Sequence, residues 1–143
     1  MVKMMEWKIH YLAGIIDGEG CIIIVKPPIR EGRKNHTYSL RISVVNTNQK
    51  LLEWLRANFG GSIHPLRNKK RERVYYQWIV GQEDTYNLLQ KIKPYTVIKK
   101  EQVDLAIEFY QKTQHLFNTG KIIPTWLNNK REEYFQKMKA LHL

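Results

Sequence analysis

Two glycines one helical turn apart, Gly14 and Gly18, sit inside an otherwise apolar pattern made by Trp7, Ile9, Tyr11, Leu12, Ile15 and Ile16. The spacing predicts a helix over residues 7–18, brought to an end by Gly18 and Gly20. With Ala13 beside them, the glycines leave room for a second helix to approach closely. The acidic residue just past Gly18, Glu19, is then carried to the contact between the two helices.

The following segment constrains what this helix rests on. Residues 21–25 are rich in β-branched side chains and stop at Pro27 and Pro28, which predicts a buried strand followed by a basic, polar loop over 27–37. Residues 38–46 alternate, with Leu40, Ile42 and Val44 on one face and Ser39, Arg41 and Ser43 on the other. The period then turns helical over 48–59 through Leu51, Leu52, Leu55 and Phe59, with Asn48 as cap and Gly60 and Gly61 as stop. Residues 62–66 and 74–80 predict a hairpin around a basic turn, 83–92 a helix ended by Pro94, 98–115 a further helix, and 124–143 a C-terminal helix. The order α-β-β-α-β-β-α with helical additions predicts an α+β fold whose antiparallel sheet is covered on one side. At 143 residues the chain is expected to form one domain, 1–143.

Charge narrows the partner. Lys and Arg total 24 against 13 Asp and Glu, a net charge of +11 that calls for a polyanion, of which nucleic acid is the commonest. Cys21 is the only cysteine, which excludes an intrachain disulfide and a cysteine-based metal cluster and fits a reducing, intracellular setting. The opening residues lack the apolar run of a signal peptide, and no segment approaches the length that spans a bilayer. A soluble chain with no membrane partner is expected, and the cytoplasm of a prokaryote and an organelle fit equally. His10, His36, His64, His115 and His142 have no zinc-like spacing, and no phosphate loop or nucleophile elbow is present.

Leu12-Ala13-Gly14-Ile15-Ile16-Asp17-Gly18-Glu19-Gly20 resembles the nine-residue motif of the LAGLIDADG homing endonucleases, apart from aliphatic or small exchanges and Glu for Asp at the eighth position. The element order is similar to that family's domain over nearly the whole chain. The resemblance implies an αββαββα endonuclease-like domain with a saddle-shaped antiparallel sheet and extra C-terminal helices. It implies Glu19 as a metal ligand with the backbone carbonyl of Gly18 beside it, and a helix contact built from Leu12, Ala13, Gly14, Asp17 and Gly18. Around a two-fold axis the two Glu19 carboxylates meet, one for each strand of a duplex, and a cation relieves their repulsion. Hard oxygen ligands suit Mg²⁺, or another divalent cation such as Mn²⁺, completed by phosphate and water. A single motif supplies half of such a helix pair, so the resemblance implies a homodimer. It implies metal-dependent double-strand cleavage across the minor groove of a long, partly palindromic DNA site, leaving short 3′ overhangs. The alternative is a non-cutting binder on the same scaffold, such as a regulator or a maturase acting on intron RNA.

Phosphodiester hydrolysis also needs a positioned water and a charge-stabilising group. The segment 93–102 resembles the family stretch leading into its later helix, where a lysine faces the active site, and here Lys99 or, one register on, Lys100 fills that place. Asn46 and Gln49 match the region that carries a polar, water-organising side chain, with Lys50 as a basic alternative. The wet sheet face offers Ser39, Arg41, Ser43, His64, Tyr75 and Gln77 as readers of the major groove. Lys26 is placed with them, and a bulge in the first strand would change the side it faces. Arg67, Lys69, Lys70, Arg71 and Arg73 in the basic turn, and Arg30, Arg33 and Lys34 in the earlier loop, suit phosphate contact. Strands of about nine residues cover about 30 Å, roughly nine base pairs per subunit.

Overall fold

A computed structural model describes residues 5–33, 35–67, 74–114 and 123–142. The first helix, α1 (Glu6–Glu19), buries Ile9, Leu12, Ala13 and Ile16, an i, i+3, i+4, i+7 arc. It runs into β1 (Gly20–Val25) with no linker, and the Gly20 amide donates to the Ile15 and Ile16 carbonyls. A Cβ on Gly20 would stand 2.7 Å from the Ile16 Cα, so only glycine lets the strand leave the helix this tightly.

Beyond the loop, β2 (Ser39–Asn46) leads into α2 (Gln49–Phe59), whose first turn is capped by the Asn48 side chain accepting from the Lys50 amide at 3.0 Å. Next come β3 (Ser62–Arg67), β4 (Val74–Gly81) and α3 (Gln82–Ile92). Pro94 ends α3 as expected, through a 3₁₀ turn over Lys93–Tyr95. The helix expected over 98–115 is shorter: α4 (Lys100–Phe109) passes into a π turn over Tyr110–Gln114, and His115 lies outside the described residues. Finally α5 (Thr125–Leu141) packs against α4 and β1.

The four strands pair antiparallel in the order β1-β2-β4-β3. Ile22, Ile42 and Val80 form one row across the sheet, and Val44, Trp78 and Ile63 another. These rows meet Leu12, Ile16, Leu52, Leu55, Leu89, Val103 and Phe109 from the helices in one core. Each such side chain contributes about 1.5–3 kcal/mol on leaving water. Trp78 also donates from Nε1 to the Gly60 carbonyl at 2.8 Å, which fixes the turn into β3. Gly61 in that turn has φ +85°, and a Cβ there would lie 2.5 Å from the Ile79 carbonyl oxygen.

The first strand departs from expectation in that only one of its faces is buried: Ile22 and Ile24 join the core, while Cys21, Ile23 and Val25 stay partly exposed on the other side. Without a bulge, Lys26 continues the buried parity. Its ammonium lies 2.8 and 3.0 Å from the two Glu132 oxygens on α5, 5.2 Å from the centre of the Phe135 ring. Lys26 therefore fastens α5 to the sheet and leaves the set of groove readers. Among the described residues, no helix is long and apolar enough to cross a membrane.

Candidate active site and nucleic-acid interface

Glu19 ends α1 with its carboxylate open to solvent. Asn46, the last residue of β2, donates from Nδ2 to Glu19 Oε2 at 2.8 Å. The opposite side of that amide is already committed, because Asn46 Oδ1 accepts from the Asn48 amide at 2.8 Å. A donor on the Oδ1 side leaves the NH₂ group only one direction, toward Glu19. Two elements that meet at the core thus bring together the acid and one of the polar partners expected from the sequence. Gln49 is exposed as the first residue of α2, and Lys50 is exposed beside it.

Lys99 is the lysine that turns toward α1. Its ammonium donates to the Asp17 carbonyl at 2.8 Å, while Lys100 is exposed as the first residue of α4. A cation on the carbonyls of a final helical turn also complements the helix dipole. Asp17 itself accepts from the Val97 amide at 2.7 Å and the Lys99 amide at 3.1 Å, which ties the start of α4 to the end of α1. The Lys99 charge reaches Cys21 too: burial pushes that thiol above its ordinary value, and the lysine pulls it the other way.

The expected helix contact needs correction at three of its five residues. Leu12 and Ala13 are 0% and 1% exposed, spent on the chain's own core, and Asp17 is turned to residues 97–99. The outward stripe of α1 runs instead through Trp7, Tyr11, Gly14 and Gly18, at i, i+4, i+7 and i+11. Among the described residues, a Cβ added to Gly14 or Gly18 would meet nothing within 4 Å, so their packing does not require glycine at either place. Trp7 and Tyr11 lean on Trp54 of α2 with ring centres 5.9 and 4.9 Å apart, yet each stays half exposed. Val97 and Ile98, 80% and 77% exposed, stand next to Asp17 on the neighbouring loop. Sequence reasoning missed both features, although an apolar pair directly before a lysine was visible.

On the sheet face away from the helices, register aligns Ser39 with Val25, Arg41 with Ile23, and His64 with Gln77. Tyr75 faces Leu66 on the same side. Ser43 shares this face but is 5% exposed between Cys21 and Ile79, so as a reader it is screened by its neighbours. His64 accepts or donates to Ser62 Oγ at 2.9 Å. Arg67 closes β3 with the opposite parity, at the exposed end of the hairpin, and Arg30 and Arg33 lie exposed in the loop after β1. Lys34, Lys69, Lys70, Arg71 and Arg73 lie outside the described residues. Ile23 and Val25 of this face were missed because the first strand was expected to be buried altogether; Val45 on β2 and Ile79 on β4 share the face.

Glu19 and the Gly18 carbonyl, in a turn where carbonyls have no intrahelical donor, are hard oxygen donors that fit a divalent cation. Among the described residues, no cluster of three His, Cys, Asp or Glu side chains could hold one alone. A cation bound there would complete its shell with water, phosphate or a second carboxylate.

The comparisons with known proteins point one way. I-CvuI, a homing endonuclease solved with its target, is 20% identical with a TM-score of 0.77, over 95% of this chain and 82% of its own. The archaeal intron-encoded homing endonuclease I-Vdi141I, solved with DNA, is 17% identical with a TM-score of 0.74, over 95% and 84%. The LAGLIDADG homing endonuclease I-SmaMI, bound to cleaved DNA, is 15% identical with a TM-score of 0.70, covering 100% of this chain and 47% of its own. No curated protein matches the chain by sequence. The sequence model described as LAGLIDADG endonuclease matches residues 12–123, most of the length, and so the chain belongs to the LAGLIDADG endonuclease family.

Proposed function

We propose that the chain is a site-specific DNA endonuclease that acts as a homodimer and depends on a divalent cation. The observation that carries the reading is the pair Gly14 and Gly18, on an outward stripe that ends at Glu19 and not needed by any contact among the described residues. Two α1 helices crossing there bring two Glu19 carboxylates together, one for each strand.

Glu19 and the Gly18 carbonyl would hold the cation, Mg²⁺ or Mn²⁺. When bound, the cation would make an attacking water more acidic and ease departure of the 3′ oxygen. Asn46 keeps the Glu19 carboxylate in one orientation through its hydrogen bond. Lys99, anchored on the Asp17 carbonyl, sets a positive charge near the foot of α1, where it can offset charge developing on phosphorus. Gln49 is a further candidate for positioning water. The open sheet face carries Arg41, Ser39, His64, Tyr75 and Gln77 into the major groove, and the basic loops grip the backbone.

Incubating the purified chain with a randomised duplex library and Mg²⁺, then sequencing the cut ends, reports catalysis, symmetry and specificity together. Palindromic cut sites are expected from the parent and none from Glu19→Gln, which should bind DNA with nearly the parent affinity. Equal cleavage by Glu19→Gln refutes the role given to that carboxylate.

A further inference from the structure

The first strand is apolar at every position from Cys21 to Val25. Such runs belong to strands covered on both faces. Here, among the described residues, Ile22 and Ile24 join the single core with the helices, while Ile23 and Val25 are partly exposed and outside it. Their cross-strand partners are Arg41 and Ser39, so two branched hydrocarbon side chains stand directly beside polar ones on the open face of a chain carrying a net charge of +11. A solvated surface gains nothing from hydrocarbon there, and the positive charge selects a nucleic acid as the second cover.

We propose that Ile23 and Val25 select thymine through its 5-methyl group, a deepening that rests on the DNA-reading role given to this face above. Thymine alone among the four bases presents a methyl at the major-groove edge. Isoleucine or valine against that methyl removes hydrocarbon from water on both sides, whereas against cytosine it strands the N4 donor without a partner. Alternate residues of a strand lie about 6.6 Å apart, close to two base steps of about 3.4 Å. Each half-site therefore holds two thymine-requiring positions separated by one base pair. Arg41, beside Ile23, adds a donor fork suited to guanine in the same stretch.

The test uses the full chain. Duplexes are selected by binding from a randomised library without added divalent cation, and the selected duplex is then remade with deoxyuridine at each thymine in turn. Uridine should weaken binding about fourfold at two positions two base steps apart in each half-site, the worth of one buried methyl. Ile23→Ser should erase the sensitivity at one of them and Val25→Ser at the other. Because the uridine measurement leaves the protein unaltered, it stands even if a variant folds poorly. Equal binding of uridine and thymine throughout a selected site, or unchanged sensitivity in both variants, overturns thymine selection and leaves sequence-specific binding in place. Recovery of no preferred sequence at all overturns both.

Discussion

Asp17→Ala separates two roles that one carboxylate has been asked to fill. Its oxygens accept from the Val97 and Lys99 amides, ahead of a helix whose N-cap residue, Lys99, supplies no side-chain cap. Hydrogen bonds to a charged group contribute about 1.5–3 kcal/mol each, and the exposed Val97 bond sits at the low end of that range. A loss of about 3 kcal/mol is expected, seen as a fall of roughly 6–12 °C in Tm for a chain of this size. Asp17→Asn retains one acceptor oxygen and should lose about half as much. Unfolding by heat and by urea, followed by circular dichroism over a hundredfold range of protein concentration, reads the effect. The difference from the parent should stay constant across that range, because the contact lies within one chain. A change below about 0.5 kcal/mol, the size of an ordinary surface substitution, refutes the cap. So does a loss confined to the dissociation of dimers, which would return Asp17 to the subunit contact.

Three other outcomes follow from the same geometry. Gly14→Leu should leave the fold of the single chain intact, since a Cβ there meets nothing within 4 Å, and weaken self-association at least about tenfold in sedimentation; an undisturbed dimer refutes the outward stripe. Asn46→Leu should slow cleavage about tenfold or more with little change in DNA affinity, the usual worth of a group that orients a metal ligand, and parent-like rates would dismiss it. Burial pushes the Glu132 carboxyl up, but Lys26, Tyr38 and Gln136 outweigh that and lower it from 4.5 to about 2. A carboxyl lowered by folding stabilises above its unfolded value, so this contribution should be whole above about pH 4.5 and fade as the pH falls toward 2. Glu132→Gln should flatten acid unfolding across that window, and an unaltered profile tells against the clamp.

Much of this architecture was readable from periodicity. The alternation of Leu40, Ile42 and Val44 against Ser39 and Arg41 set the faces of β2, and Asn48 marked the start of α2, both in agreement with the structure. Helix α1 was harder because it is apolar on both sides: Ile9, Leu12, Ala13 and Ile16 share one arc, and Trp7 and Tyr11 share another with the glycines. Periodicity shows that both arcs exist without showing which faces the chain's own core, and so Leu12 and Ala13 were assigned to the wrong side. Lys26 turned on the presence or absence of a bulge, which composition does not reveal. The inward turn of Asp17 depends on a loop 80 residues away, beyond any local pattern.

The elbow at Gly20 has a mechanical consequence. With no residue between the helix that carries Glu19 and the strand that carries Cys21, Ile23 and Val25, the acid and the first sheet positions move as one rigid piece. On the proposed reading, the distance along DNA from inspected bases to broken bond is then set like the offset between a ruler's zero mark and its blade. Changing which letters the sheet accepts should redirect the enzyme to other sequences while leaving that offset the same.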